Sequence, residues 1–168
     1  KGFDDISVVI GLNGSRKRVS HFLNCPQEKL GHLLKDSVQN AIAPVEVSAN
    51  NAPCQEVVHL ATDPNFDLRK LLPAPTNTEE DAGPYITMGL CYASDPGSGE
   101  SDITIHRRCV QSRDELSMWL TPGRHIDAFR MKAEAAGKPL PISISIGVDP
   151  AIEIAACFEP PTTPLVFD

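Results

Sequence analysis

The strongest constraint on the fold is a pair of strand-like segments on either side of a glycine-rich turn. Residues 85–93 and 102–110 have the composition of β-strands, and Asp95-Pro96-Gly97-Ser98-Gly99 lies between them. A second turn over 111–114 precedes a third strand over 116–120. Successive strands joined by short turns predict an antiparallel meander, because parallel strands need long crossover connections.

Helices flank these strands in the second half of the chain. Apolar residues recur at helical spacing over 122–136, and Gly137 is a typical helix stop. Residues 142–148 alternate apolar and small residues, which predicts a strand with one buried face. Asp149-Pro150 has the signature of a helix start, and that helix is expected to run to about Phe158. Antiparallel strands with helices at their sides predict an α+β domain, and separate βαβ units are not evident.

The first 80 residues, here called the lead-in segment, are less regular. We expect strands over 7–10 and 56–60, a turn over 11–15, and a helix that begins at Pro26 and ends before Pro44. A short helix over 67–72 and a loop over 73–84 complete the segment. It is predicted to be a small α/β unit, residues 1–80, that packs against the domain formed by residues 81–168.

Composition limits the classes of function. The net charge of −7 is atypical of a nucleic-acid reader, and no apolar run approaches the roughly 20 residues that span a bilayer. Five cysteines without a C-x-x-C spacing indicate neither a disulfide framework nor a zinc site, and favour the reducing cytoplasm. The start at Lys1 and the stop at Asp168 suggest a fragment of a longer protein.

The densest polar cluster is Asp102–Arg108, on a predicted strand. Alternation places Asp102, Thr104 and His106 on one face, and puts Arg107 on the other face with two isoleucines. A guanidinium on an apolar face requires an anionic partner such as a phosphate or carboxylate. From the pattern alone, an arginine at the end of a sheet that pairs with a core carboxylate is the simpler interpretation.

A second cluster, Trp119–His125, lies at a strand-to-helix junction. The first turn of a helix offers free N–H groups to an anion, Arg124 can add a bidentate contact, and His125 can bind a metal. An ordinary capping turn is the competing interpretation. Asp102 and His125 together suit Mn, Fe or Zn better than Ca, but a third ligand would have to come from elsewhere.

Two other features favour plain structural roles. Residues 11–17 fit neither G-x-G-x-x-G nor the P-loop pattern, so a simple turn is expected. Cys157 has apolar neighbours on a predicted helix and is interpreted as a small buried residue rather than a nucleophile.

At these clusters the chain resembles the UbiD-like decarboxylases, which use prenylated flavin mononucleotide (prenylated FMN). It is most similar to the branch that decarboxylates hydroxylated benzoic acids such as 4-hydroxybenzoate, protocatechuate and gallate. The resemblance covers nearly the whole chain. The segments that carry it are Lys1-Gly2-Phe3, Arg16–Val19, Ala52–Val58, Gly83–Gly89, Asp102–Arg107, Pro122–Ile126 and Gly147–Ala151.

The resemblance implies roles for individual residues. Arg107 falls on the family's catalytic arginine and His125 on its metal-binding histidine. Asp102 takes the place of an asparagine metal ligand, which makes the site one charge more negative. The residues implied to contact the cofactor are Thr104, Ile105, His106, Arg107, Trp119, Leu120, Arg124, His125, Ala156, Cys157 and Phe158. The last three stand where some members carry serines.

The implied activity is the non-oxidative decarboxylation of an aromatic acid with prenylated FMN and a divalent metal, most simply Mn²⁺. The resemblance also suggests K⁺ as a further ion. The substrate bonds to the flavin, CO₂ leaves, and an acidic residue donates the proton. The third metal ligand would fall at or beyond Asp168, and the acidic catalytic residues farther on. The chain alone is therefore expected to hold the cofactor without turnover.

Two alternatives stay open: a flavin-binding module or subunit without chemistry, and a flavin reductase on a similar barrel. The resemblance implies a split β-barrel flavin-binding domain with flanking helices. It also implies a small aromatic acid as substrate, a flavin prenyltransferase as cofactor supplier, and a homo-oligomer. The substrate's identity depends on residues outside this chain.

Overall fold

The computed structural model describes residues 6–158. The helices are α1 (Arg16–Phe22), α2 (Leu30–Gln39), α3 (Leu68–Leu71), α4 (His125–Ala135) and α5 (Pro150–Ala155), with 3₁₀ turns at Gln27–Lys29, Ala49–Asn51 and Pro53–Gln55. The strands are β1 (Tyr85–Ile86), β2 (Leu90–Ser94), β3 (Ser101–Ile105), β4 (Arg108–Val110), β5 (Leu116–Met118) and β6 (Ser143–Ser145). No described helix is long and apolar enough to cross a membrane.

The predicted hairpin is present, but it is divided between two antiparallel sheets. Its inner part pairs β2 with β3, and its outer part pairs β1 with β4. The sheet orders are β3-β2-β6 and β1-β4-β5. The α+β class is confirmed, and the described strands form two sheets that share the hairpin rather than one closed barrel.

The hydrophobic core lies between β2 and α4. Cys91 and Ala93 from the strand pack against Ile126 and Phe129 from the helix, and all four are buried. Burial of a side chain the size of Ile126 stabilises the fold by about 1.5–3 kcal/mol. This packing attaches α4 to the β3-β2-β6 sheet.

Local signals in the second half set the element ends. Gly137 adopts φ 66° just after α4, as a helix stop requires. The side chain of Asp149 accepts a hydrogen bond of 2.8 Å from the amide of Ala151 and caps α5. Helix α5 ends at Ala155, short of the predicted Phe158, and β6 covers less of the predicted 142–148 strand.

The lead-in segment is helical and irregular in its described part. The strands predicted over 7–10 and 56–60 are wrong, because no strand forms within residues 6–84 and both segments are largely exposed. An apolar run becomes a strand only where a partner strand takes up its hydrogen bonds. Helix α1 was not predicted, whereas the helix after Pro26 and the helical turn after Asp67 are confirmed.

Direct hydrogen bonds attach the lead-in segment to the sheets. The amide of Leu68 donates to the carbonyl of Arg113 at 2.7 Å, and the amide of Tyr85 donates to Pro75 at 2.9 Å. Asn13 Nδ2 donates to the buried Glu153 on α5 at 2.8 Å. The segment therefore contacts β1, the turn before β5 and α5, while a boundary at residue 80 stays a prediction.

Candidate metal and cofactor site

Asp102 and His125 lie next to each other. Asp102 is on β3, paired with Ala93 of β2, and His125 is the first residue of α4. Nδ1 of His125 is 3.4 Å from Oδ2 of Asp102, and the side chains are 17% and 29% exposed. Because Ile126 anchors the start of α4 in the core, the helix presents His125 at the sheet surface. We call this arrangement the Asp102–His125 pair.

The pair does not complete a metal site within the described part of the chain. In residues 6–158 no cluster of three His, Cys, Asp or Glu side chains is suited to a metal ion. The third ligand implied at or beyond Asp168 lies outside the described residues. A carboxylate and an imidazole nevertheless form a donor set that fits Mn, Fe or Zn.

Arg124 immediately precedes His125 in the chain. It is the N-cap residue of α4, with extended backbone, and follows Gly123, whose φ of 88° makes the turn into the helix. Burial is the main cause that lowers the pKa of His106, and the charge of Arg124 adds to it, so the guanidinium acts on the same neighbourhood as Asp102 and His125. A helix start beside a guanidinium is suited to an anion such as a phosphate.

His106 contributes a polar atom that lacks a partner in the described structure. The residue is only 8% exposed, and its Nε2 has no hydrogen-bond partner. Burial lowers the pKa of His106, and the charges of Arg108 and Arg124 act in the same direction. The imidazole is therefore held neutral; its other ring nitrogen donates to the Trp119 backbone, so Nε2 is a hydrogen-bond acceptor. A buried ring nitrogen without a hydrogen-bond partner is suited to contact with a polar group of a ligand.

The structure corrects which arginine is buried. Arg107, expected on the buried isoleucine face, is exposed, and Arg108 is only 1% exposed. Regular alternation stops because β3 ends at Ile105 and β4 starts at Arg108. The burial of Arg108 was not predicted from the sequence; the available signal was its place directly before the apolar Cys109.

Arg108 hydrogen-bonds to the backbone at the point where the chain crosses from one sheet to the other. Its Nη1 donates to the carbonyl of Gly89 at 3.0 Å and to that of His106 at 2.9 Å, and its Nη2 contacts Cys91 Sγ. Burial raises the pKa of the Cys91 thiol, and the Arg108 charge opposes this rise. The guanidinium thus fixes the backbone at His106, one residue before Arg107.

Arg107 lines a cleft of about 500 Å³. Trp119, which is 78% exposed, and Tyr85 form aromatic parts of its wall. The lining is completed by Asn77, Asp81, Thr87, Ser117 and Met118. A guanidinium beside aromatic side chains is a suitable setting for a planar carboxylate.

The remaining predicted cofactor residues lie in three places. Thr104 and Ile105 are half-buried on β3, opposite Cys91 and Leu90 of β2. Leu120 packs against the core. Ala156, Cys157 and Phe158 follow α5 at the edge of the described chain. The expectation that Cys157 is a buried helix residue is wrong, because Cys157 lies beyond the helix end and is exposed.

The fold and the site define an α+β protein with a two-ligand candidate metal site beside a basic helix start. Residues 45–164 match the UbiD family, described as the 3-octaprenyl-4-hydroxybenzoate carboxy-lyase Rift-related domain. Since this match takes in more than half of the chain, the chain belongs to the UbiD family.

Similar proteins include characterised decarboxylases. Gallate decarboxylase of Lactiplantibacillus plantarum is 48% identical over 169 residues, which cover 100% of this chain and 34% of the relative. Anhydromevalonate phosphate decarboxylase of Methanothermobacter thermautotrophicus is 35% identical over 90% of this chain and 33% of its own length. The chain thus spans about one third of the curated relatives that it matches.

Solved structures agree with this assignment. The apo 3,4-dihydroxybenzoic acid decarboxylase of Klebsiella pneumoniae has a TM-score of 0.90 and 56% identity, over 98% of this chain and 34% of that structure. An evolved dimeric form of the UbiD-class enzyme HmfF from Pelotomaculum thermopropionicum, in complex with prenylated FMN, has a TM-score of 0.80 and 40% identity over 87% and 33%.

Proposed function

We propose that this chain is the part of an aromatic-acid decarboxylase that binds prenylated FMN and a divalent metal. The proposed reaction is the removal of CO₂ from a hydroxylated benzoic acid. The observation that carries the proposal is the Asp102–His125 pair at 3.4 Å, beside the basic start of α4. It is supported by the decarboxylase relatives and by the complex of a related enzyme with prenylated FMN.

Metal binding is assigned to Asp102 and His125. A divalent cation between them, Mn²⁺ in our proposal, would offset the carboxylate charge and attract the phosphate of the cofactor. Arg124 would add a guanidinium to the same phosphate. The backbone around Ala156, Cys157 and Phe158 is proposed to contact that phosphate end as well.

The remaining site residues are assigned to the flavin ring and the substrate. Prenylated FMN, when bound, supplies the electron sink for the carbanion chemistry. Thr104 and Ile105 lie along the ring, and the neutral His106 accepts one hydrogen bond from it at Nε2. Arg107 orients the substrate carboxylate in the cleft that Trp119 and Tyr85 border, while Leu120 supports the wall from behind.

Substrate and partners remain proposals. The relatives that act on gallate and 3,4-dihydroxybenzoic acid favour a benzoic acid with ring hydroxyls. We also propose a flavin prenyltransferase as cofactor supplier, a homo-oligomeric assembly, a cytoplasmic location and a K⁺ requirement.

The experiment is to produce the intact protein together with a flavin prenyltransferase and measure both bound cofactor and turnover. Absorbance spectra and the mass of the released flavin report prenylated FMN. Chromatography of 4-hydroxybenzoate, protocatechuate and gallate reports decarboxylation. We expect bound cofactor and loss of CO₂ from at least one acid, and no turnover by the 168-residue chain alone.

The alternatives give different results in the same experiment. Bound flavin without decarboxylation of any of the three acids would favour a flavin-binding module. Flavin-dependent oxidation of NADH would favour a reductase.

A further inference from the structure

Helix α4 is attached to the hairpin at two polar points. Near its start, His125 approaches Asp102 of β3. Two turns later, Lys132 forms an ion pair with Asp95, in the turn that joins β2 to β3. Between these points the contact with the sheet is apolar, through Ile126 and Phe129.

Asp95 is built into the hairpin turn. It is only 5% exposed, and its Oδ1 accepts hydrogen bonds from the amides of Gly97 at 2.7 Å and Ser98 at 3.4 Å. Its own amide donates to the carbonyl of Glu100 at 2.7 Å. The carboxylate therefore has a fixed place relative to the strands, and Lys132 is held against a rigid point.

The two attachments are separated along both elements. His125 and Lys132 are seven residues apart, which corresponds to about 10.5 Å along one face of a helix. Asp102 is opposite Ala93 in the register of β2 and β3, so Asp95 lies two residues farther along, about 7 Å. The ion pair therefore acts at a distance from the Asp102–His125 pair, on the same two elements.

Apolar packing through Ile126 and Phe129 holds α4 against the sheet, but the hydrophobic effect has no preferred direction of its own. A charged contact with a fixed carboxylate does set the axial position. We propose that the Asp95–Lys132 ion pair is a positioning contact that keeps His125 in register with Asp102 for metal binding. The metal-binding part of this inference rests on the proposed function.

Helix α4 also offers a matched control. Arg130 pairs with Asp127 at 2.7 Å and with Glu134 at 2.6 Å, and both partners are on the same helix. Loss of Arg130 removes close ion pairs without releasing the helix from the hairpin. The comparison thus separates positioning from general stability.

The experiment uses the intact protein as wild type, Lys132→Met, Lys132→Arg and Arg130→Met, with Asp95→Asn as a second route if Lys132→Met does not fold. Crystal structures give the separation of His125 Nδ1 and Asp102 Oδ2. Titration with Mn²⁺, followed by the electron paramagnetic resonance signal of the free ion, gives affinity. Thermal unfolding of each variant is recorded in parallel.

We expect Lys132→Met to separate the Asp102–His125 pair and to weaken Mn²⁺ binding about tenfold, as the loss of a contact that orients a ligand does. Lys132→Arg should restore most of the affinity, and Arg130→Met should leave both the separation and the affinity unchanged despite a similar loss of stability. An unchanged separation in Lys132→Met, or an equal change in Arg130→Met, would overturn the inference. A separated pair in Lys132→Met together with a wild type that does not bind Mn²⁺ would support the positioning contact and refute the proposed metal site.

Discussion

His125 Nδ1 lies 3.4 Å from Asp102 Oδ2, although one residue begins a helix and the other lies on a strand. The contact depends on the packing of Ile126, the next residue in the chain, into the core beside Cys91. The packing of the apolar core therefore positions a residue of the candidate metal site.

Loss of either member of the Asp102–His125 pair should weaken metal binding. We expect Asp102→Ala or His125→Ala to lower Mn²⁺ affinity by at least about tenfold, because a two-residue donor set cannot compensate for a missing ligand. Asp102→Asn should retain part of the affinity, since an amide oxygen still coordinates. Isothermal titration of the intact protein measures this. The control is Asp114→Asn, an exposed carboxylate in the turn before β5; an equal effect there would contradict the assignment.

Arg107 should matter for turnover more than for cofactor binding. We expect Arg107→Ala to lower kcat by about 10²–10³, the usual effect of losing one charged donor to a reacting group, with flavin content unchanged. Arg107→Lys should recover little, because an ammonium lacks the planar fork. Steady-state kinetics measure kcat, and the flavin absorbance of the same samples measures the cofactor content. Wild-type kcat in Arg107→Ala would argue against a catalytic arginine in this cleft.

Gly89 should not tolerate a side chain. A Cβ at this position would overlap Nη1 of Arg108, which the carbonyls of Gly89 and His106 hold in place. We expect Gly89→Ala to lower the free energy of unfolding by about 1–3 kcal/mol. The matched control is Gly31→Ala in α2, where a Cβ meets nothing within 4 Å and should stabilise by about 0.5–1 kcal/mol. Urea unfolding that gives both variants the same midpoint would contradict this account.

The pH dependence of stability should include His106. Burial, with the charges of Arg108 and Arg124, lowers its pKa below 6.5, while Asp102 and the Trp119 backbone partly oppose the shift. Between the lowered pKa and about 6.5 the unfolded chain binds more protons than the folded one, so the free energy of unfolding falls as the pH falls through this window.

The variant His106→Gln tests this effect, because glutamine does not titrate. Its free energy of unfolding should change less between pH 7 and pH 5 than that of the wild type. The control is His32→Gln, an exposed histidine on α2. If the free energy of unfolding of His106→Gln changed with pH as much as that of the wild type, His106 would have the same pKa in the folded and the unfolded chain.

Local signals in the sequence predicted much of the second half of the fold. The hairpin turn after Ser94, the cap at Asp149 and the stop at Gly137 each depend on a few neighbouring residues, and each is confirmed. The break between β3 and β4 was not predicted, because the choice between two sheets depends on distant partner strands. The burial of Arg108 instead of Arg107 follows from that break.

The site was predictable only in part. Spacing alone could not bring Asp102 and His125 together, since nothing local connects them; their meeting was inferred from residue chemistry and from the family resemblance. The cleft at Arg107 and the orphaned Nε2 of His106 depend on how the two sheets and the lead-in segment come together. The exposed apolar residues of the lead-in segment misled the strand prediction for the same reason.

The most direct test of the central claim is a crystal structure of the intact protein with Mn²⁺ and prenylated FMN, with anomalous data to locate the metal. We predict one manganese peak bonded to both Asp102 and His125, with the flavin phosphate bound to the metal and beside Arg124. A metal bound elsewhere, or a flavin phosphate remote from the Asp102–His125 pair, would contradict the proposed role of this site.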